Sequence, residues 1–394
     1  KSACLLPSPD VNAIMFLEQL CSFGKKVTVE CSVSRKLAAL ENYYDIERTL
    51  RRPSANWDED EFVVERSGRR LSFDGDYSPS RMYDLYDGLH RQDQSGTQRL
   101  LRQLQRVADL VSGSFRFCEP VSYSMEIEQA GTKGIGFRHG PGAVADRTKN
   151  WDKSRFKNWP HKLEGWFPFD ECGTTASQRG TRPRNHEVAS RLSFVKKTAK
   201  APRIIASEPT EHQWCQQLIK EWLCNEIKSG EIRHFIDFRN QELSGDLVVQ
   251  ASLDRKLATV DLSDASDRLS CWTVERMFRD SPSLLHALHA ARTRYLRIDI
   301  KNVTQGPDFL LLRKFAAQGT GTTFPVQSLC FLLIAFAACI DDEEVTWDHI
   351  RRLRGKVRIY GDDIILPKHG YARLVRAMEL LELKVNLAKS YVNG

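Results

Sequence analysis

The spacing of apolar and polar positions changes along the chain. Residues 1–120 have mainly helical spacing, as in TQRLLRQLQRVADLVSG, where apolar positions recur with the helical period until a glycine. Residues 130–185 are rich in Gly, Pro and Trp and have no clear period, which is typical of loops. No internal repeat is evident. The first half of the chain therefore predicts helices followed by connecting loops.

From about residue 245, strand and helix patterns alternate. KLATVDL predicts a strand leading into one capped helix over SDASDRLSCWTVERMF, while RYLRIDI and DFLLLRKF predict a β-pair. A Gly/Thr loop, QGTGTTFP, precedes the apolar window Val326–Ile340, whose 15 residues predict a buried helix rather than a membrane span of about 20. GKVRIYGDDIILP predicts a second hairpin, and YARLVRAMELLEL an amphipathic helix. This order indicates an α+β fold, an antiparallel sheet backed by helices, rather than a doubly wound parallel sheet.

Composition narrows the protein class only moderately. A chain of 394 residues predicts two or three subdomains, and 41% hydrophobic with 28% charged residues is ordinary for a globular protein. The 58 basic and 51 acidic residues give a net charge of +7, which is compatible with nucleic acid binding without requiring it.

Basic residues concentrate between Ala176 and Arg203, where Glu187 is the one acid. They flank the strand-like RLSFV and continue to APRII, so a hairpin would present them. A solvated face and a phosphate-binding surface are both compatible with such a run.

The ten cysteines and the N-terminal residues indicate the cellular setting. No CxxC pair occurs, so neither a zinc ribbon nor a disulfide framework is predicted, and reduced thiols in a cytoplasm-like compartment are favoured. The chain opens on KSACLLPSPD, without Met and without a long apolar run. We expect no secretory signal and a true N-terminus further upstream.

Three aspartates are candidates for a metal site. Asp261 ends the strand LATV, and Asp362 and Asp363 occupy the tip of the later hairpin. If these strands are neighbours, three carboxylates converge, and two Mg²⁺ ions about 4 Å apart would offset their mutual repulsion. Each feature also has a plain structural interpretation. Gly-Asp is common in turns, the Gly/Thr loop can be a simple connection, and Asp264, Ser266 or Asp267 can cap the following helix.

The joint arrangement resembles a known family. DLSDASD, GTGTTFPVQS and YGDD, in this order, resemble motifs A, B and C in the palm of RNA-dependent RNA polymerases. LATVDLSDASDRLS and YGDDIILP are similar to the replicase β subunit of positive-strand RNA bacteriophages, the levivirus group. KTAKAPRIIASEP resembles its basic motif F, HFIDFRNQ a segment between motifs F and A, and LKVNLAKSY motif D. The resemblance spans roughly residues 190–393.

The resemblance implies a right-hand polymerase with fingers and palm. Residues 1–120 would be a mainly helical N-terminal region contributing to the fingers. Residues 121–244 would be fingers with motif F, and 245–394 the palm with motifs A to D. Because the chain stops at YVNG, where the family continues into motif E and the thumb, we expect a partial polymerase whose thumb is largely missing.

It also implies catalytic roles. Asp261, Asp362 and Asp363 would bind two Mg²⁺ ions, with Mn²⁺ a possible substitute, and Asp363 would be the less direct ligand. Asp267 would accept a hydrogen bond from the ribose of the incoming nucleotide. Lys389 in motif D would donate a proton to the leaving pyrophosphate.

Further residues would surround the nucleotide by resemblance. The basic ones would face the triphosphate, and the motif B loop would let template and nucleotide approach its backbone. Gln327 and Lys196 depart from the family pattern. The nucleotide-binding residues implied are Lys197, Lys200, Arg203, Gly319, Gly321, Thr323, Gln327 and Ser328.

The function implied is RNA-directed RNA synthesis from NTPs in the cytoplasm of a bacterial host, without a membrane. Elongation factors Tu and Ts and a small-subunit ribosomal protein would be partners. A reverse transcriptase-like polymerase is an alternative, but Tyr360-Gly361 lacks the bulkier residue usual before its Asp pair, and Asp267 is an acceptor where a steric gate is needed. A non-catalytic RNA-binding fragment is the second alternative. The phage, its host and its template specificity stay open.

Overall fold

A computed structural model of the protein describes residues 8, 10–23, 30–57, 68–77, 84–86, 96–129, 136–146, 153–173, 182–197, 201–299, 306–341 and 344–392. Contacts divide the chain into two compact units, 1–45 with 193–205 and 46–192 with 206–394. The second unit contains the three candidate aspartates.

Helices occur along most of the described chain, and the longest, Thr210–Ser229, lies near its middle. α3 coincides with the periodic stretch before Gly113, and α12 with the apolar window. The helices are α1 (Val11–Phe23), α2 (Val33–Thr49), α3 (Gly96–Ser112), α4 (Pro120–Gln129), α5 (His161–Glu164), α6 (Phe169–Cys172), α7 (Thr210–Ser229), α8 (Glu242–Asp254), α9 (Ala265–Arg268), α10 (Cys271–Met277), α11 (Pro282–Ala291), α12 (Thr323–Cys339), α13 (Trp347–Arg351) and α14 (Tyr371–Leu380).

The strands of the described residues form three sheets. The orders are β4-β9-β8, β10-β5 and β1-β7-β6-β2-β3. β6 and β7 pair antiparallel as predicted, whereas β1 pairs parallel with β7. The strands are β1 (Arg70–Leu71), β2 (Ser190–Val195), β3 (Arg203–Ser207), β4 (Leu257–Val260), β5 (Leu262–Ser263), β6 (Tyr295–Arg297), β7 (Phe309–Leu311), β8 (Arg358–Tyr360), β9 (Asp363–Pro367) and β10 (Lys384–Val385). This content confirms the predicted α+β class.

The sheet β4-β9-β8 is antiparallel and is backed by helices. β9 is its central strand, so Ile365 lies opposite both Thr259 of β4 and Arg358 of β8. α12 packs on β8 and β9 and also contacts α3 and α14. Because α12 is enclosed, its Phe331 and Phe336 are fully buried, as expected for a helix that is apolar all round. The sheet is therefore held on a rigid support.

The helix predicted over residues 263–278 is wrong in one respect, because it is broken in two. α9 ends at Arg268, and α10 begins after Ser270, whose Oγ accepts the N–H of Thr273 at 3.2 Å. At the break, the Phe315 N–H donates to the Leu269 carbonyl at 2.8 Å. This distant segment takes up backbone groups that would otherwise continue one helix. The helix cap is Ser270, not Asp264, Ser266 or Asp267.

The Gly/Pro/Trp-rich stretch is a set of anchored loops. Lys153 Nζ donates to the carbonyls of Gly140 and Gly142 at 3.0 and 2.7 Å, which fixes the HGPG turn. Trp159 packs edge-on against Phe156 and Phe169, with ring centroids 5.2 and 5.4 Å apart. These aromatic residues belong to the main hydrophobic core, so they anchor a segment with little regular structure to it.

The predictions on disulfide bonds and on membrane-spanning helices can be compared with the structure. All nine cysteines among the described residues are free thiols, in agreement with the absence of CxxC pairs. In that same part of the chain, no helix combines the length and apolarity needed to cross a bilayer.

Buried acids near the start of α7 make stability depend on pH. Glu211 is fully buried, and this burial, with the nearby Asp146 carboxylate, raises its pKa from 4.5 to about 8. A carboxyl whose pKa rises on folding stabilises the protein fully below its unfolded pKa, and this contribution is lost as the pH rises through the folded pKa. We expect Glu211→Gln to match the wild type at pH 5 and to exceed its stability at pH 8.5. The difference should grow by up to roughly 1.4 kcal/mol for each pH unit between pH 5 and the folded pKa of about 8.

Denaturant unfolding of both proteins at the two pH values measures this difference. Glu379→Gln on α14 is the matched control, because it makes the same substitution at a side chain that is 60% exposed. An equal Glu211→Gln effect at pH 5 and pH 8.5 would show that Glu211 does not titrate in this window.

Candidate active site

The three candidate aspartates lie at one end of the antiparallel sheet. Val260 pairs with Ile364, so Asp261, which follows β4, is adjacent to Asp363, which begins β9. Asp363 also pairs with Tyr360 across the hairpin, which places Asp362 in the two-residue turn. Strand register thus places the three residues at the same end of the sheet, although about a hundred residues of chain separate Asp261 from the other two.

The turn carrying Asp362 depends on its glycine. Gly361 has φ +65°, and a Cβ there would lie 2.7 Å from Cε2 of Phe324. A positive φ at the first turn position suits the twist of a two-residue hairpin. The Gly361 N–H donates to Ser328 Oγ at 3.2 Å, and Ser328 donates to the Phe324 carbonyl at 2.7 Å. Helix α12 therefore fixes the turn both by packing and by a hydrogen bond.

Asp261 is held by the segment that follows β10. Asn386 Nδ2 donates to its Oδ2 at 2.8 Å, and Lys389 Nζ lies 3.5 Å from the same oxygen. The Asp261 N–H donates to Ser390 Oγ at 3.2 Å. Lys389 is thus placed at the aspartates, while Asn386 and Ser390 were missed by sequence reasoning. No pattern in the sequence singled out these two residues beside Lys389.

The electrostatics of the cluster favour a bound cation. The pKa of Asp363 is raised by burial and by the carboxylates of Asp362 and Asp261, and the Lys389 ammonium opposes this shift. A cation between like charges would relieve their repulsion, and carboxylates are the donors that Mg²⁺ prefers. As they stand, no three His, Cys, Asp or Glu side chains among the described residues are grouped closely enough to hold a metal ion. The donor chemistry fits Mg²⁺, while the closed coordination shell stays a proposal.

A groove of about 870 Å³ opens beside these groups. α8 lines one wall, with Val248 and Val249, and β4 and β9 line the other. Asp261, Asp363 and Lys389 all face it. Its volume lies in the range of small-molecule sites in proteins. The aspartates are therefore accessible to a ligand.

Asp267 lies on α9, seven residues beyond the end of β4. Its Oδ1 accepts a hydrogen bond from Lys314 Nζ at 3.0 Å, and its side chain is 13% exposed. Asp264, before α9, has φ +52° and makes no side-chain cap. Asp267 therefore has a specific buried partner, Lys314, which the sequence did not indicate.

Contacts within the fold explain why motif B has glycine at positions 319 and 321. Gly319 has φ +117°, and a Cβ there would lie 2.1 Å from the Ala206 carbonyl oxygen. The Gly321 N–H donates to Gln216 Oε1 at 3.1 Å, and a Cβ would lie 3.0 Å from Gln217 Nε2. Backbone crowding thus accounts for Gly319, and packing against the Gln216 and Gln217 side chains for Gly321, independently of any approach by template or nucleotide.

The remaining motif B residues belong to the start of α12. Thr323 Oγ1 donates to the Ala317 carbonyl at 2.8 Å, which closes the loop. Gln327 is buried, and its Oε1 has no hydrogen-bond partner among the described residues. A buried acceptor without a protein partner is costly, so Gln327 Oε1 calls for a partner outside the described side chains.

The basic segment belongs to the other unit. Lys197 and Arg203 are exposed, as is Lys196, and the neighbouring strands β2 and β3 confirm the predicted hairpin. Lys200 lies outside the described residues.

Comparison with known proteins gives the family. The RNA replicase beta-chain family matches residues 169–394, more than half of the chain. The RNA-directed RNA polymerase beta chain of Escherichia phage MS2 is 30% identical over 207 residues, which are 52% of this chain and 34% of that protein. The subunit beta of Qbeta virus strain MX1 is 28% identical over 205 residues, 51% of this chain and 31% of that protein. The match spans about a third of the length of these relatives.

A solved structure supports the fold. The RNA-dependent RNA polymerase of a human picobirnavirus aligns with 97% of this chain and 64% of its own, with a TM-score of 0.52 and 11% identity. At this identity the likeness concerns architecture. Both the sequence match and the sheet that gathers three aspartates agree with the resemblance inferred from the motifs. The chain belongs to the RNA replicase beta-chain family.

Proposed function

We propose that the chain catalyses RNA-directed RNA synthesis by two-metal nucleotidyl transfer from NTPs. The observation that carries this proposal is the convergence of Asp261, Asp362 and Asp363 at one end of the sheet β4-β9-β8, in a member of the replicase family. The sheet with α12 and α14 corresponds to a palm, and the preceding regions to fingers.

Each residue near the sheet end has a defined task in this reaction. Asp261, Asp362 and Asp363 would hold the metal ions. Bound Mg²⁺ would supply Lewis acidity toward the attacking 3′-hydroxyl and the leaving pyrophosphate. Asp267 accepts a hydrogen bond from the 2′-hydroxyl of the nucleotide, and Lys389 donates a proton to pyrophosphate.

Other contributions would come from motifs B and F. Gln327 offers a buried amide oxygen near the nucleotide, Ser328 holds the turn of Asp362, and the exposed Lys197 and Arg203 offset triphosphate charge. We further propose, from family membership alone, that elongation factors Tu and Ts and a small-subunit ribosomal protein join the full-length polypeptide in the infected bacterium.

Primer extension by the full-length polypeptide on a primed RNA template tests this proposal. With Mg²⁺ and the complementary NTP we expect templated extension, and with the matching dNTP at least about a hundredfold less, because a site built for a hydroxyl rejects the analogue that lacks it. A non-complementary NTP is the control. A preference for dNTP would favour a reverse transcriptase, and RNA binding without any extension would favour a non-catalytic RNA-binding protein.

A further inference from the structure

Lys314 is a fully buried lysine next to the ribose-recognition position. Its side chain has no exposed surface, and its Nζ lies 3.0 Å from Asp267 Oδ1 and 3.4 Å from Glu47 Oε1. Burying an ammonium is costly unless anionic partners surround it. Asp267 and Glu47 are thus two anionic partners of this buried ammonium.

The backbone around Lys314 is fixed against motif A. Residue 314 forms a β-bridge with Ser270, and the Cys271 N–H donates to the Arg313 carbonyl at 2.9 Å. Arg292 Nη2 also donates to the Lys314 carbonyl at 3.1 Å. These bonds set the position of the Lys314 backbone relative to α9, which carries Asp267, and so limit where the ammonium can lie.

Glu47 is the weaker of the two carboxylate partners of Lys314. Glu47 is fully buried, and although Lys314 and the Arg313 N–H oppose the shift, burial raises the pKa of its carboxyl. The Arg313 N–H donates to Glu47 Oε2 at 2.6 Å. A carboxyl whose ionised form is disfavoured is a weak counter-ion, so Asp267, whose Oδ1 is also the nearer at 3.0 Å, is the stronger of these two anionic partners.

Asp267 combines a fixed oxygen with partial access. Lys314 binds Oδ1, and the side chain keeps 13% of its surface exposed. An acceptor that recognises a hydroxyl by one hydrogen bond binds best when it is held in one orientation. A freely rotating carboxylate would lose conformational entropy each time a nucleotide binds, and this loss would weaken binding.

We propose that Lys314 is a positioning residue that fixes Asp267 for the ribose 2′-hydroxyl and thereby sets the preference for NTP over dNTP. This inference rests on the proposed function. With Asp267 held, a dNTP leaves a desolvated acceptor unpaired, whereas an NTP satisfies it. Without Lys314, Asp267 rotates away, and the two nucleotides become more alike.

Lys314→Met tests the inference, because it keeps the length of the side chain and removes the ammonium. In single-nucleotide extension by the full-length polypeptide we expect the ratio of kcat/KM for NTP to that for dNTP to fall about tenfold, chiefly through NTP. Glu47→Gln is the matched control. It changes the other partner of Lys314, keeps its hydrogen-bonding shape, and should leave the ratio within about twofold of wild type.

Asp267→Ala provides the background that separates positioning from general support. There Lys314→Met should not change the ratio further, because the residue through which it acts is gone. An equal loss for both nucleotides in the single variant would make Lys314 a structural residue only. A further fall of the ratio in the Asp267→Ala background would show that it acts elsewhere. Either result overturns the inference.

Failure to fold does not end the test. Glu47→Leu/Lys314→Met removes both buried charges together, which cores often tolerate, and should give the same tenfold loss of selectivity. Thermal unfolding monitors each variant. A wild type that extends no primer overturns the proposed function, whereas a selective wild type with an equally selective Lys314→Met variant overturns only this inference.

Discussion

Replacing Asp362 with Asn is expected to lower the rate of nucleotide incorporation by about a thousandfold or more and to leave RNA binding unchanged. The amide keeps the shape of the side chain but removes one carboxylate from the cluster proposed to hold the metal ions, and a thousandfold corresponds to roughly 4 kcal/mol of transition-state stabilisation. Primer extension gives the rate. Filter binding at several salt concentrations gives the RNA affinity and its salt slope, which report phosphate contacts.

Asp348→Asn is the matched control for this prediction. It removes the same charge from the same unit, at a side chain that is 74% exposed and pairs with Arg351 on the surface. NMR titration supplies an independent check. The pKa of Asp363 should fall in Asp362→Asn, since the Asp362 carboxylate is one cause of its elevation. Unchanged incorporation would remove Asp362 from the catalytic site and would favour a structural role for the Gly-Asp-Asp turn.

Replacing Gly319 with Ala is expected to reduce the free energy of unfolding by about 3 kcal/mol or more. At φ +117° an L residue is strained, and the new Cβ would meet the Ala206 carbonyl oxygen at 2.1 Å. The oxygen belongs to the backbone and the Cβ is fixed to it, so no side-chain rotation can relieve the clash. The clash would also break the hydrogen bond from the Ala206 N–H to the Gln318 carbonyl, 2.7 Å long.

Denaturant unfolding of the variant measures this loss, and Gly165→Ala is the control. Gly165 has φ −65°, and its Cβ would meet no atom within 4 Å, so its effect should stay within about 0.5 kcal/mol. If Gly319→Ala folds as stably as the wild type but extends primers poorly, the glycine is needed for ligand approach rather than for the fold.

Much of the catalytic end of the sheet was predictable because its signals are local. An alternating strand ending in Asp261 and a hairpin with Asp362 and Asp363 at its tip are readable from neighbouring residues, and side-chain alternation fixes register once strands pair. The apolar stretch that became α12 was equally clear. Composition and spacing thus predicted the α+β class, the buried helix and the basic hairpin, whereas the motifs were identified by resemblance to a family.

The interior partners were not predictable in this way. Asn386 lies 125 residues from Asp261, and Lys314 lies 47 residues from Asp267, so their contacts depend on which elements pack together. The same holds for the break between α9 and α10, which forms because the segment around Phe315 pairs with Leu269. The helical pattern of residues 263–278 does not indicate that another segment of the chain pairs with Leu269.

By itself, the sequence determined which residues carry charge at the ends of predicted strands, because hydrophobic periodicity and turn chemistry act over a few positions. Tertiary structure alone decided what surrounds those charges: the Asn386 amide and Lys389 ammonium on Asp261, the buried Lys314 on Asp267, and the backbone that excludes a side chain at Gly319. These are contacts between distant segments, and their energies exist only after the chain has closed the intervening loops and buried them from water.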